Sequence, residues 1–440
     1  MTADPTDATA PGEESRRTVV QLAAANSIFP RQLAEFWQTK GVRSALVTRD
    51  LRQPDVERAF DVVLSRHDIM PRGARGFLRA RLIQSSHLLE KALVAPFRSS
   101  YHRRTGRPRA EGWNPWFVGP LCDAGPLARA ASSLEPMFVL GHEVTSYGPA
   151  LARCRGTAKV LFPWGGDVFL YARTSPFLWL LARSALRSAD LVLPSSATAA
   201  RHIVDRFRVP AHRVRPVSWG VDRSMFRRAA PPERARILAK LGLPPAASIV
   251  LNVRQFHPLW GCFVALEAFL KLASDRPDVR FVMLGGVGTE AHVQEARHRI
   301  SAAGHAGRFV ILDGRVPLAT VAELMAVTDV FSSLMSAADM RSASVLQATA
   351  AGAVPVVTDT DEHREMARQG FAARFVDATD PVAVERAIVA LLSAPEAVAG
   401  MRQANDLYIA RHEDQAAQFA RMWQLIGETC AARTAVDRPR

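Results

Sequence analysis

A chain of 440 residues with 48% hydrophobic content exceeds what one core usually supports, and calls for two domains of roughly 200 residues each. Its 56 Lys and Arg against 42 Asp and Glu give a net charge of +14, which points to phosphates or an anionic surface as partners and carries no information about fold. Cys122, Cys154, Cys262 and Cys430 are scattered and form no C-x-x-C pair, so neither a zinc site nor a disulfide framework is indicated, and a reducing cytoplasm suits them.

In chain order, residues 1–17 combine acids and prolines where a secretion signal needs a basic and then an apolar run, and are expected as a disordered leader. Short apolar runs rich in branched residues then alternate with longer amphipathic stretches, the pattern of buried parallel strands joined by crossover helices, so the class is α/β. Strands are predicted at 19–23, 44–47, 60–64, 137–140, 159–162, 191–193 and 214–217. After a charged, proline-flanked stretch they resume at 249–253, 280–284, 309–312, 330–332, 354–357 and 374–376. The resulting domain boundaries are 18–222, a connection at 223–245, a second domain at 246–402, and a C-terminal helix and tail at 403–440. The apolar run at 177–181 is interrupted by Arg183 and Arg187, short of the roughly 20 uncharged residues a membrane span needs.

Ligands of open parallel sheets bind beyond the carboxyl ends of the strands, so the residues that follow each strand are where chemistry is sought. In SSLMSAADMRSASVLQATAAGAVPVVTD, residues 332–359, a strand leads through a polar loop into a helix of small residues and on to a second strand. The segment resembles glycosyltransferase family 4, whose members carry an acid, small residues and then L-E-A-M-A-x-G-x-P-V-V. Here Asp339 is followed by Leu346, Gln347, Ala348, Gly352, Pro355, Val356 and Val357.

That resemblance implies a GT-B fold, two Rossmann-like domains facing each other across a cleft. It also implies retaining transfer of a sugar from a nucleoside diphosphate sugar, a co-substrate, with no resident cofactor or obligatory metal. Amides around Ser342, Ala343 and Ser344 would cradle the diphosphate at a helix start. Asp339 and Gln347 stand at the spacing of the family's two glutamates, for the sugar and the ribose. Glutamine keeps an acceptor oxygen and loses the charge that strengthens the bond.

LNVRQFHPLWGCFVALEAF, residues 251–269, resembles the family's strand, Arg and Lys-Gly element. Arg254 and Gly261 are in place, and Trp260 stands where lysine is expected. A guanidinium can bind phosphate bidentately by itself, but the missing cation removes leaving-group stabilisation. Gly286 in the turn MLGG and Arg315 with Val316 in LDGRVP complete the donor-site candidates. Glu365 and Gly370 match late positions of the family, and Ala373 replaces a usual glycine.

In the first half, FPWGGDVF resembles a W-G-S-D turn and makes Asp167 the candidate for orienting the acceptor. Ser195, Ser196, Gly220 and Asp222 lie in two further family-like elements. Trp164 occupies the place of a site histidine, with His142 as a nearby substitute, and the glycine loop after the first strand is replaced by Asn26 and Ser27. From Arg72 to Arg109 ten Arg and Lys stand against Glu90 alone, interleaved with apolar residues at helical spacing. This is either a solvated face or a basic amphipathic segment that rests on an anionic membrane, as for a cytoplasmic protein on the inner face. The acceptor is read as a glycan, lipid or small molecule, and no specific nucleic-acid binding is expected. His257 and Trp260 carry no metal spacing. Trp260 and Gln347 motivate a competing reading, a GT-B-fold subunit that no longer catalyses and binds a partner enzyme or glycan. Sugar-nucleotide epimerisation on the same fold fits the motifs less well.

Overall fold

The structure, a computed structural model, describes residues 18–25, 27–50, 56, 58–70, 81, 118–256, 260–286, 289–335 and 341–436. The expected leader, Asn26, the basic segment apart from Arg81, His257 and the candidate acid Asp339 lie outside the described residues. The described chain forms two compact units, one holding the residues up to Val217 and those from Arg421, the other those from Ser218 to Ala420.

The first unit is a six-stranded parallel sheet of order β3-β2-β1-β4-β5-β6. Its strands are β1 (Thr18–Leu22), β2 (Arg43–Val47), β3 (Val62–Leu64), β4 (Phe138–His142), β5 (Ala158–Phe162) and β6 (Leu191–Val192). Every residue of β1 and β4 is buried, as strands covered on both faces must be. Val20 is in register with Ala45 on one side and Val139 on the other. The helix Ile28–Gln38 turns Leu33, Ala34 and Trp37 inward, and the Trp37 ring meets Phe138 edge-on at 5.6 Å. Trp423, from the helix Gln415–Val436, packs on the same phenylalanine at 6.2 Å. That helix begins in the second unit and ends in the first, so the predicted tail divides between them.

The second unit repeats the plan with order β12-β11-β10-β7-β8-β9. Its strands are β7 (Ser248–Asn252), β8 (Val279–Gly286), β9 (Phe309–Asp313), β10 (Val330–Ser333), β11 (Val354–Thr358) and β12 (Arg374–Val376). Alternation sends Ile249 and Leu251 into one apolar cluster and Val250 into the other, one cluster for each face of the sheet. The stretch expected to connect the domains contains the helix Pro231–Lys240, whose Ile237 and Leu238 are buried in this core.

The predicted strand at 214–217 does not form. Arg215 N donates to Val192 O and Val217 N to Pro194 O, each at 2.9 Å, but Pro194 has no N–H to return a bond, and the segment keeps a single bridge, Val214 to Val192. Both strand orders reverse direction once, between β1 and β4 and between β7 and β10, and these two switch points are where the loops leaving the sheets diverge. No helix among the described residues is long and apolar enough to cross a membrane.

Candidate functional site

The switch point of the second sheet is occupied by Arg254, two residues past the end of β7. Its backbone N–H donates to Asn252 Oδ1 at 2.8 Å, which folds the loop back over the strand end. The guanidinium then crosses to the neighbouring strand. Nε donates to Ser333 Oγ at 3.2 Å, Nη2 donates to Ser342 Oγ at 3.0 Å, and the group lies 5.7 Å from the centroid of Trp260. Trp260 supplies no charge but gives Arg254 an aromatic surface to rest on.

Ser342 is the N-cap residue of the helix Ala343–Ala350 and makes no side-chain bond to that helix's amides; its hydroxyl lies 3.1 Å from that of Ser344. Donors at the helix start therefore keep their capacity for an anion, which the helix dipole favours. Gln347 is half-buried on the same helix. Two further polar atoms at this point, Asn252 Nδ2 and Ser332 Oγ, are buried without a hydrogen-bond partner, an arrangement native proteins keep for a reason.

Gly286 ends β8 with φ +84 and bridges to Gly314, just ahead of the exposed Arg315 and the half-buried Val316. A Cβ at Gly286 would stand 2.5 Å from the Gln255 side chain, so glycine here lets the Arg254 loop close over the end of β8. Arg254, Gly286, Arg315, Val316, Ser342, Ala343, Ser344 and Gln347 thus all belong to the second unit.

Arg341 was not among the residues the sequence singled out. Only 8% exposed, its guanidinium pairs with Glu413 at 2.6 Å and Glu362 at 3.0 Å. Tyr408 donates to Glu413 at 3.1 Å, and the Ser218 hydroxyl donates to the same carboxylate. Burial by itself would favour loss of the proton from Arg341, but the surrounding Glu413, Tyr408 and Glu362 reverse that and hold it charged. Ser342 is therefore anchored on one side by Arg341 in the chain and on the other by Arg254. His363 lies nearby, with Nδ1 2.7 Å from Thr358 O; burial first, then Arg254 and Arg341, bring its pKa down to about 4 against the pull of the Thr358 bond, so it stays neutral. Arg341 stands 21 and 72 residues from its two carboxylate partners and leaves no local pattern; the hint was an arginine just ahead of a helix start made of small residues.

In the first unit Asp167 is 1% exposed and turned toward backbone. It accepts from the amides of Val144 at 2.7 Å, Gly165 at 2.8 Å and Trp164 at 3.1 Å. Burial raises its pKa and those bonds oppose the rise. This geometry makes Asp167 a brace between the loops after β4 and β5. His142, the proposed substitute histidine, is a core residue: its Nε2 meets Gln21 Oε1 at 2.8 Å, Gln21 Nε2 donates to Pro30 O, and burial drops its pKa to about 3. Ser196 caps the helix Ala197–Phe207 through Ala199 N, and Asp222 takes the Ser224 amide, local structural bonds in both cases. Gly220, at φ +67, abuts the backbone of Gln415. Among the described residues no cluster of three or more His, Cys, Asp or Glu has the arrangement of a metal site.

Residues 247–394, which include Arg254, Ser342 and Gln347, match the family described as "Glycosyl transferases group 1". Solved structures cover nearly the whole chain. A glycosyltransferase from Rickettsia africae superposes with a TM-score of 0.68 at 13% identity, covering 94% of this chain and 98% of that one. The Anabaena protein HepE in complex with UDP and glucose gives 0.68 at 13% identity, covering 94% and 100%.

The fold is GT-B.

Among curated proteins, a D-inositol 3-phosphate glycosyltransferase of Acidothermus cellulolyticus is 32% identical over 120 residues, 26% of each chain. A phosphatidyl-myo-inositol mannosyltransferase of Mycolicibacterium smegmatis is 28% identical over 179 residues, 40% of this chain and 43% of that protein. The chain thus aligns with well under two thirds of these relatives' length. The GT-B chain carries the group 1 match in its second unit, where the donor-site candidates stand.

Proposed function

We propose that this protein transfers a sugar from a nucleoside diphosphate sugar to a hydroxyl acceptor, as a retaining enzyme of the family 4 kind, with the donor held by the second unit. The observation that carries this reading is Arg254 at the β7/β10 switch point, tied to Ser333 and Ser342 beside the unpartnered Asn252 Nδ2 and Ser332 Oγ. A guanidinium facing a helix N-terminus supplies opposite walls of a diphosphate site and stabilises the charge that develops on the departing phosphate. Gln347 accepts from the ribose, Asp339 from the sugar, and Ala343 and Ser344 offer amides to phosphate oxygens. Gly286, Arg315 and Val316 border the donor from the β8 and β9 ends. No resident cofactor takes part. The relatives that act on inositol phosphate and phosphatidylinositol favour a polyol-type acceptor, and HepE's UDP favours uridine among the nucleosides to be tried first.

Calorimetric titration with UDP, GDP and ADP and their glucose and mannose conjugates tests the reading, followed by assay of sugar release. Binding of at least one, at micromolar affinity, is expected. If none binds, transfer is ruled out; binding with no turnover toward water or any polyol would favour the non-catalytic subunit. The same reading gives residues 72–109 the role of peripheral contact with the inner face of an anionic membrane, and vesicle binding that needs anionic lipid and fades with salt is its check.

A further inference from the structure

β11 lies beside β10 in the second sheet, and the turn that follows it carries a histidine whose bonds fix its chemistry. His363 stands in the first turn of the helix Asp361–Arg368, is 4% exposed, and donates its backbone N–H to the Thr360 hydroxyl that caps the helix. Its Nδ1 lies 2.7 Å from Thr358 O, the last carbonyl of β11, and 3.1 Å from the same Thr360 hydroxyl. A carbonyl oxygen can only accept, so Nδ1 carries the hydrogen. Burial, helped by Arg254 and Arg341, outweighs the Thr358 bond and Asp359 and keeps the ring neutral. Nε2 is then a bare lone pair, and it meets no hydrogen-bond partner among the described residues.

A neutral acceptor beside two guanidiniums is selective about what it meets. Phosphate oxygens at neutral pH have no hydrogen to offer, and the lone pair repels them; a hydroxyl can donate to it. Polar groups buried this deeply are nearly always paired in native proteins, which marks Nε2 as a place for the hydroxyl of a ligand.

Which end of the donor it meets follows from what holds the turn. Met335 and Arg341 are the described residues on either side of the stretch that contains Asp339, the candidate acid for the sugar. Met335 N donates to Thr358 Oγ1 at 2.7 Å, and that hydroxyl returns a bond to Met335 O at 3.1 Å. Arg341 Nε donates at 3.0 Å to Glu362 Oε1, on the residue just before His363. Both flanks are thus tied to the turn of His363, whereas Gln347, the candidate for the ribose, lies more than a turn into the helix Ala343–Ala350.

Resting on the transfer reading above, we propose that His363 is a sugar-binding residue of the donor site: its Nε2 accepts a hydrogen bond from one hydroxyl of the sugar to be transferred. Arg254 meets the charge of the diphosphate and His363 a hydroxyl beyond it, and both belong to the second unit. A sugar without that hydroxyl leaves the lone pair buried and unmatched, which is how the site discriminates against it.

Calorimetry on the full chain tests this, with UDP against UDP-glucose or whichever nucleoside diphosphate and conjugate bind. His363→Asn keeps an N–H for Thr358 O and removes the Nε2 acceptor; His363→Phe removes both, and Tm shows whether each variant is folded. Both should bind the bare nucleoside diphosphate as the wild type does, and the sugar conjugate about 10-fold more weakly, the worth of one hydrogen bond. Among conjugates that each lack one sugar hydroxyl, one should cost the wild type the same factor and cost the variants nothing, a coupling that a residue serving only the fold would not produce. Unchanged affinity for the conjugate in folded His363→Asn would overturn the assignment. So would a loss shared equally by the bare nucleotide, or one that no deoxy conjugate reproduces. Absence of nucleotide binding by the wild-type chain would instead remove the transfer reading, and this role with it.

Discussion

Arg341 and Glu413 meet at 2.6 Å across 72 residues of chain, one just ahead of the helix Ala343–Ala350 and the other closing the helix Pro395–His412. With Glu362 at 3.0 Å the guanidinium serves two buried carboxylates at once. Removing it takes this cation from both carboxylates, and the cost of breaking a buried pair is about 3–5 kcal/mol. Arg341→Ala should therefore lower the unfolding free energy of the second unit by that order, read by urea unfolding. Loss of hydrogen-exchange protection should begin at Ser342, the residue Arg341 holds in place.

Arg254 is half-buried and donates to Ser333 and Ser342 beside the start of the helix Ala343–Ala350, and its loss should harm ligand binding more than folding. Arg254→Ala should weaken affinity for the nucleoside diphosphate by about 10- to 100-fold, the worth of one or two charge-assisted hydrogen bonds. Arg254→Lys should rescue little, because an ammonium cannot span Ser333 and Ser342 together. Calorimetry on folded variants checks both; equal affinity in Arg254→Ala would place the diphosphate elsewhere.

Gln347→Glu restores a charged acceptor, and should tighten donor binding several-fold, since charge-assisted bonds are roughly twice as strong as neutral ones. Trp260→Lys has a mixed outcome: it adds a cation, yet removes the ring 5.7 Å from Arg254. Its kcat should rise only if Arg254 keeps its two serine contacts, which a comparison of KM and kcat in the single and double variants separates.

Asp167 binds backbone amides on two loops, so Asp167→Ala strands the Val144, Trp164 and Gly165 N–H groups and should cost several kcal/mol, at about 1–3 kcal/mol for each buried donor. A drop in Tm of the first unit should precede any specific loss of turnover. Inactivity in Asp167→Asn with an unchanged Tm would return the residue to the chemistry.

The pH dependence of the first unit combines two groups of opposite sign. Glu143 goes from 4.5 to about 7 on folding, so its contribution is fully present below pH 4.5 and is lost as pH rises through 7. The shift corresponds to about 3 kcal/mol at 1.36 kcal/mol per unit. His142 falls from 6.5 to about 3, so its contribution is present above pH 6.5 and is lost as pH falls toward 3. Glu143→Gln should accordingly remove the fall in stability between pH 4.5 and 7, and His142→Gln the loss as pH drops below 6.5, both measurable by thermal unfolding between pH 4 and 9.

The fold was largely legible from the chain, because strands covered on both faces carry continuous apolar runs, such as Val19 and Val20 in β1, Phe138 to Leu140 in β4 and Ile249 to Leu251 in β7. The predicted strand at 214–217 misled because its neighbour leads into Pro194, which accepts from Val217 N but has no N–H to complete the ladder. On the site, Arg254 and the Ser342 helix start could be found by order and spacing along a single strand-loop-helix. Asp167 could not be judged that way: an aspartate after a glycine turn reads alike whether it faces solvent or, as here, three amides.

By itself the sequence determined two parallel α/β sheets and the positions of the loops at their carboxyl ends, since burial and periodicity are local properties of the chain. Only the tertiary structure decided which side chains those loops bring together. Arg341 finds Glu413 72 residues away, Asp167 reaches back 23 residues to hold Val144, and Glu143 is bent into a left-handed conformation by partners on other strands. A carboxyl's charge state and direction depend on what buries it, and that neighbourhood exists only once the strands have assembled.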